Sequence, residues 1–429
     1  MKTLCKPTFT LIVLSLLVLG ACNQDPIFYT ISRGVALKDP RIPGGPANFT
    51  VFNRDYSISG GSSSLSVLYA AAGKKIHWYA KPADDNSGVP GWDRADIAIE
   101  QPGGRIKYLA ATDDYLYAIS FPNENSLSSV LKRIGKSETS WTQLGFSDTA
   151  ETHRVLQTIY AAKGILFIGA EREGYNTFNI FYVDETDPTN TMKRLTIDTP
   201  PYSIRELNGA AFDGENYFLS INSSDIYQVP GTYFSSAPKP EIKILSAGQV
   251  EFMNIISLEN AIPPTLHKIV AIDRGGKLYE MKYAPGTTDV TIEPVKDGIN
   301  EVSMGTYATG ALSLWRDPTE ATAGNPSPAP KLLLAGKQDS FSSSSYANGY
   351  REFEIIADSL RVPREPGTYP SSVDNNERYK STIGKLSVTH IFQVPYSVDP
   401  EMILFASTQK NGLWSYRIRD NTPQWNAEE

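Results

Sequence analysis

IVAIDRGGKLYEM, residues Ile269 to Met281, packs three pieces into one short stretch: an apolar run, a turn around Gly275-Gly276, and a second run holding an aliphatic-aromatic pair. Apolar and polar positions alternate through the second run. With the aromatic enrichment, that is the pattern of half-buried strands, so the stretch reads as a β-hairpin. The same sentence recurs along the chain. Val67 to Tyr79, Tyr217 to Val229 and Ile403 to Tyr416 repeat it with short turns, and Ile180-Phe181-Tyr182-Val183 follows a longer loop.

With Leu68, Leu116, Leu166, Phe218, Val270, Leu333 and Leu404 as equivalent points, the intervals are 48, 50, 52, 52, 63 and 71 residues. Periods of that size belong to arrays of supersecondary units, and four short strands fill one period. Ahead of most anchors lies a further strand rich in small residues: Leu109-Ala110-Ala111, Tyr160-Ala161-Ala162, Asn208-Gly209-Ala210-Ala211 and Ala308-Thr309-Gly310-Ala311. Small side chains suit strands that converge on an axis. Outer strands are expected at Ile97 to Ile99, Trp141 to Leu144, Arg194 to Ile197, Ile242 to Leu245 and Val290 to Val295. Asp213-Gly214, Lys163-Gly164, Asp113-Asp114, Asn348-Gly349 and Asn411-Gly412 supply residues that tolerate tight hairpins.

Taken together, residues 28–425 resemble an all-β, seven-bladed β-propeller of four-stranded blades, without a WD or kelch signature. An open ring would expose two sheet edges. Two segments are candidates for the last blade's outer strand: Phe28-Tyr29-Thr30-Ile31, which is preferred, and Pro423-Gln424-Trp425.

The N-terminus carries an address. Lys2 and Lys6 precede an apolar run of eleven residues, Phe9 to Leu19, and then Leu19-Gly20-Ala21-Cys22. The run is too short to span a bilayer, which takes about 20 residues. The segment resembles the signal and lipobox of bacterial lipoproteins. That resemblance implies removal of residues 1–21, diacylglyceryl modification and N-acylation of Cys22, and a tether over residues 22–27. Asn23 stands where an Asp would resemble an inner-membrane retention signal, which favours the outer membrane of the cell envelope. The other cysteine, Cys5, leaves with the signal, so the mature body holds no disulfide or thiolate metal site.

A net charge of −7, which becomes more acidic when Lys2 and Lys6 are cleaved away, argues against nucleic acid. No catalytic elbow or phosphate loop is present, and His77, His153, His267 and His390 lack metal-site spacing, so neither metal nor cofactor is expected. Two constellations remain. Arg105, Arg154 and Arg205 each precede an inner strand, 49 and 51 residues apart, which places them in register on three neighbouring blades. Converging guanidiniums hold a carboxylate, sulfate or phosphate; alternatively each arginine bonds carbonyls of the adjacent blade. The second is a set of long loops, 341–349 and 363–384, carrying or flanked by Tyr346, Asn348, Tyr350 and Arg351, residue types that recognise protein or glycan surfaces. The leading expectation is a membrane-anchored protein that binds a protein, peptide or glycan partner through one loop-rich face. The alternatives are an enzyme acting on an anionic sugar, with His153 or Glu206 moving a proton beside the arginines, and a scaffold in envelope assembly.

Overall fold

The computed structural model describes Ile42 and residues 48–428, apart from 82–89, 198–205, 259–267, 302–310, 317–330, 336–349, 362–385 and shorter gaps. The chain forms seven four-stranded antiparallel sheets arranged in a ring, a seven-bladed β-propeller with almost no helix. The blades run Asn48 to Trp92, Arg105 to Leu144, Arg154 to Arg194, Leu207 to Ser246, Phe252 to Pro294, Leu312 to Arg361 and Val388 to Ala427. A small hairpin, Lys296–Asp297 with Asn300–Glu301, lies between blades five and six.

All seven anchor residues fall in the second strands of their blades, and the aliphatic-aromatic pairs fall in the third. The burial differs from the half-buried pattern the alternation suggests. Along Val67-Leu68-Tyr69-Ala70-Ala71-Ala72 every side chain is buried. Val67, Tyr69 and Ala71 pack toward blade two, while Leu68, Ala70 and Ala72 pack toward blade seven. Because side chains alternate across a strand, a sheet covered on both faces needs a continuous apolar run. Leu166 and Phe218 repeat the pattern, each facing the seam opposite to that of its neighbours in sequence.

Seven apolar clusters result among the described residues, one in each seam between adjacent blades. The seventh joins blade seven to blade one through Leu68, Tyr79, Trp92, Val394, Phe405 and Leu413. Its centre is an aromatic triad, with Tyr79 and Trp92 rings 5.2 Å apart and Phe405 at 5.2 Å and 5.1 Å from them. Tyr79 donates to Asp399 at 2.6 Å, and the Trp92 indole donates to Glu428 at 3.0 Å. The ring is therefore closed by side-chain packing. The final blade takes its outer strand locally, from Thr422–Ala427, so the preference for an N-terminal closing strand is corrected; Phe28 to Ile31 lies outside the described residues.

Blade one also departs from expectation. Its fourth strand is Gly91–Trp92, and Ile97 and Ile99, read as an outer strand, instead fill the seam to blade two beside a short 3-10 turn at Ala95–Ile97. Blade six starts at Leu312, so of the small-residue run before it only Ala311 is described, its N–H donating to Thr389 O at 3.0 Å.

The first strand of each blade faces the axis and is paired on one side only, leaving N–H and C=O groups that need partners. Side-chain amides meet that need across the seams. Asn48 holds both the N–H and the C=O of Leu109. Asn208 donates to Phe252 O, and Asn254 donates to Asn208 O while accepting from Leu312 N. Gln393 brackets Arg316 in the same two-handed way, at 2.7 Å and 2.8 Å.

Candidate functional site

First strands run parallel to one another around the axis, so each begins on one face, where the connections between blades and between second and third strands also emerge. Connections between first and second strands emerge on the other. In blade six the ends of the second and third strands, and the end of the fourth strand with the start of blade seven, lie on the interblade face; the residues that join them, 336–349 and 362–385, lie outside the described residues, as do 317–330.

Along the axis the first strands enclose a chamber of 270 Å³. Blades one, two, three, five, six and seven contribute, through Phe49 and Thr50, Tyr108, Tyr160, Asn254, Ser313, and His390 with Phe392. Phe49 and Phe392 stand 6.2 Å apart. With Tyr108 and Tyr160 they make an aromatic arc over blades seven, one, two and three. Blades five and six supply amide, hydroxyl and aliphatic groups instead.

Above the chamber, on the interblade face, blades two to four build a polar mouth. Lys107 is exposed and donates to Gln157 Oε1 at 2.6 Å, and Gln157 in turn reaches Glu171 Oε2 at 3.5 Å. Lys107 also lies 5.8 Å and 5.9 Å from the Tyr108 and Phe121 ring centres. Glu206, immediately before the first strand of blade four, acts electrostatically on Lys107, Tyr108 and Tyr160. Desolvation by the surrounding walls lowers the Lys107 pKa, partly offset by the negative charge of Glu206. Desolvation, reinforced by Glu206, pushes the Tyr108 phenol up to about 12, and the Tyr160 phenol is raised well above its ordinary value for the same first reason. Both phenols stay neutral at physiological pH and keep their O–H as a donor.

The arginines of the sequence reading separate. Arg105 opens the first strand of blade two and is exposed, its guanidinium 4.9 Å from the Phe121 ring centre. Arg154 opens the first strand of blade three one position earlier in register, Val155 being the residue that matches Arg105, and it is buried; its Nε pairs with Glu151, which also meets Arg194 at 3.6 Å. The Arg154 charge is thereby compensated within the blade. Arg205 and His153 lie outside the described residues, as do Tyr346 and Asn348. Tyr350, read as a loop residue, begins the third strand of blade six and is buried in the seam against Trp425, ring centres 5.7 Å apart, so its ring is spent on packing. Arg351 follows it in that strand, opposite Leu334. Among the described candidates, Glu206 and Arg105 both act electrostatically on Lys107 at the mouth.

Lys107, Tyr108, Gln157, Tyr160 and Glu171 went unnoticed in the sequence. The signal was there: Lys107 and Gln157 are 50 residues apart, the same interval as that between the anchors Leu116 and Leu166. Carrying the period two or three positions into each first strand reaches the mouth.

No protein-family model matches the chain, and no curated protein matches it. Among solved structures it is similar to a putative 6-phosphogluconolactonase from Bacteroides uniformis, at 13% identity and a TM-score of 0.45, over 90% of this chain and 96% of that one. It is also similar to a chain in the crystal structure of the mitotic checkpoint complex, at 11% identity and a TM-score of 0.44, over 90% of this chain and 98% of that one.

Proposed function

We propose that the protein is a binding protein of the bacterial cell envelope, tethered by acyl chains on Cys22, that takes its partner on the interblade face of the propeller. One observation carries the reading: exposed or half-buried polar groups from three consecutive blades, Lys107, Gln157, Glu171 and Glu206, converge at the channel mouth on the face from which the long blade-six connections leave. Seven apolar seams make the ring a stiff frame, and a stiff frame with polar groups at a recess is the arrangement by which folds hold ligands on loops and strand ends. The lipobox resemblance supplies the tether and, through Asn23, favours the outer membrane.

Reversing the mouth charges tests this. Full-length protein carrying Lys107→Glu with Glu206→Lys should retain its melting temperature, because Lys107 is exposed and Glu206 is not in a seam. Its recovery of the envelope partner by co-purification should fall at least tenfold. A Tyr396→Ala control, altered at an exposed residue on the opposite face, should recover the partner fully. Equal recovery by all three proteins would remove the interblade face from consideration.

A further inference from the structure

The chamber beneath the mouth has a chemistry of its own. Among its described lining residues there is no carboxylate, ammonium or guanidinium group, and the one imidazole is that of His390. A cation pushed into it would lose its hydration with no opposite charge to replace it, and an anion would meet only that imidazole, so the chamber disfavours charged groups. Its walls are not uniformly apolar either. The aromatic arc of Phe49, Phe392, Tyr108 and Tyr160 offers ring faces and two neutral phenol donors. Across from it, Ser313 lines the wall with its Oγ buried and turned out of a guest's reach.

Asn48 and Asn254, although they line the chamber, are committed to neighbouring backbones. They brace the wall and leave the aromatic faces and the phenols to meet a guest. The guest must therefore be neutral, have one apolar face to lie on aromatic rings, and carry hydroxyls around its edge. A volume of 270 Å³ sits just below the roughly 300–1,000 Å³ of pockets that enclose drug-sized ligands, which allows one six-membered ring and not two. The rest of such a molecule would leave through the mouth past Lys107 and Gln157, whose planar and charged groups suit vicinal hydroxyls in water.

We infer that the axial chamber is a binding site for the terminal ring of a neutral glycan chain, which enters from the interblade face. The inference rests on the partner-binding reading of that face and adds the class of partner. Stacking on the aromatic arc gives the ring its apolar contact at little entropic cost, and the two phenols fix its orientation. Acidic sugars are disfavoured because no permanently charged cation lines the chamber.

The experiment uses the full chain solubilised in lauryldimethylamine oxide, a detergent without a sugar headgroup. It is applied to an array of immobilised neutral oligosaccharides beside uronate- and sialate-bearing ones, and titration calorimetry follows on the oligosaccharides retained. Neutral chains should be retained and acidic ones not. Tyr160→Ala, which strips one ring from the arc, should weaken binding at least tenfold, and Tyr160→Phe, which removes only its phenol O–H, several-fold. Ala161→Phe, which pushes a ring into the chamber, should abolish binding. Melting temperatures identify any variant that fails to fold, and Tyr160→Phe, the mildest change, keeps the test decisive if the other two do. Retention of acidic chains alone, of no chain, or equal affinity in all folded variants would overturn the inference. The two readings fail separately: absence of sugar binding with a partner still lost on mouth charge reversal removes only the chamber assignment. Sugar binding with no effect of that reversal on the envelope partner removes only the face.

Discussion

Cys22→Ala is expected to abolish acylation. Cells given radiolabelled palmitate should label the wild-type chain and leave the variant unlabelled, and membranes should hold at most unprocessed variant precursor. The size of the effect follows from transfer energetics. Each buried methylene contributes about 0.8 kcal/mol, one acyl chain gives only marginal binding, and two already anchor stably. On the proposed processing, which removes Cys5 with residues 1–21, replacing Cys22 removes every chain at once. No helix among the described residues is long and apolar enough to cross a membrane. A variant that still takes up label would show that Leu19-Gly20-Ala21-Cys22 is an ordinary cleavage region.

Phe405→Ala should lower the melting temperature more than any surface change described above. The ring is fully buried in the seam between blades seven and one and meets Tyr79 and Trp92 edge-on. Truncating a buried phenylalanine costs about 3–5 kcal/mol, against a typical domain stability of about 5–15 kcal/mol. For a body of this size that corresponds to a fall of roughly 4–6 °C. The location adds a qualitative signature. In a propeller whose last blade borrows a strand from the other end of the chain, backbone hydrogen bonds hold the closure. Here the final blade is built wholly from Val388–Gln393 onward, and the seam is held by packing with the Tyr79–Asp399 and Trp92–Glu428 hydrogen bonds. Loosening it should expose the edges of blades one and seven to protease before the other blades are cut. A melting temperature within about 1 °C of wild type would mean that the aromatic triad does not close the ring.

The ring was legible in the sequence because its cause is local and repeated. Each unit needs an apolar second strand, a tight turn and an aromatic third strand, and Gly276 and Gly214, with φ of 80° and 109°, sit at turns where the sequence placed them. Closure was not legible, because it depends on which of two distant segments completes one sheet, and Phe28 to Ile31 and Pro423 to Trp425 are equally strand-like in isolation. Ile97 and Ile99 misled for a related reason: an apolar pair serves a seam as well as it serves a strand, and only the neighbouring blade decides. Within the site, neither the exact register nor the environment was readable. Arg105 and Arg154 miss equivalent places by one residue, which turns their side chains to opposite faces of the sheet, and Glu151, three residues before Arg154, makes that arginine an internal ion pair while Arg105 stays in water. The long blade-six connections drew attention through composition, whereas Tyr350 at their edge is fixed by Trp425 from a strand some seventy residues away.

The most direct measurement is site-specific photocrosslinking in intact cells, with benzoylphenylalanine placed at Arg105 on the interblade face and, separately, at Tyr396 on the opposite face. Both side chains are exposed, so both probes reach whatever lies against them. A discrete adduct from position 105 and none from position 396 is the result expected of a tethered propeller that binds through its interblade face. An adduct from 396 alone, or from neither position, would contradict it.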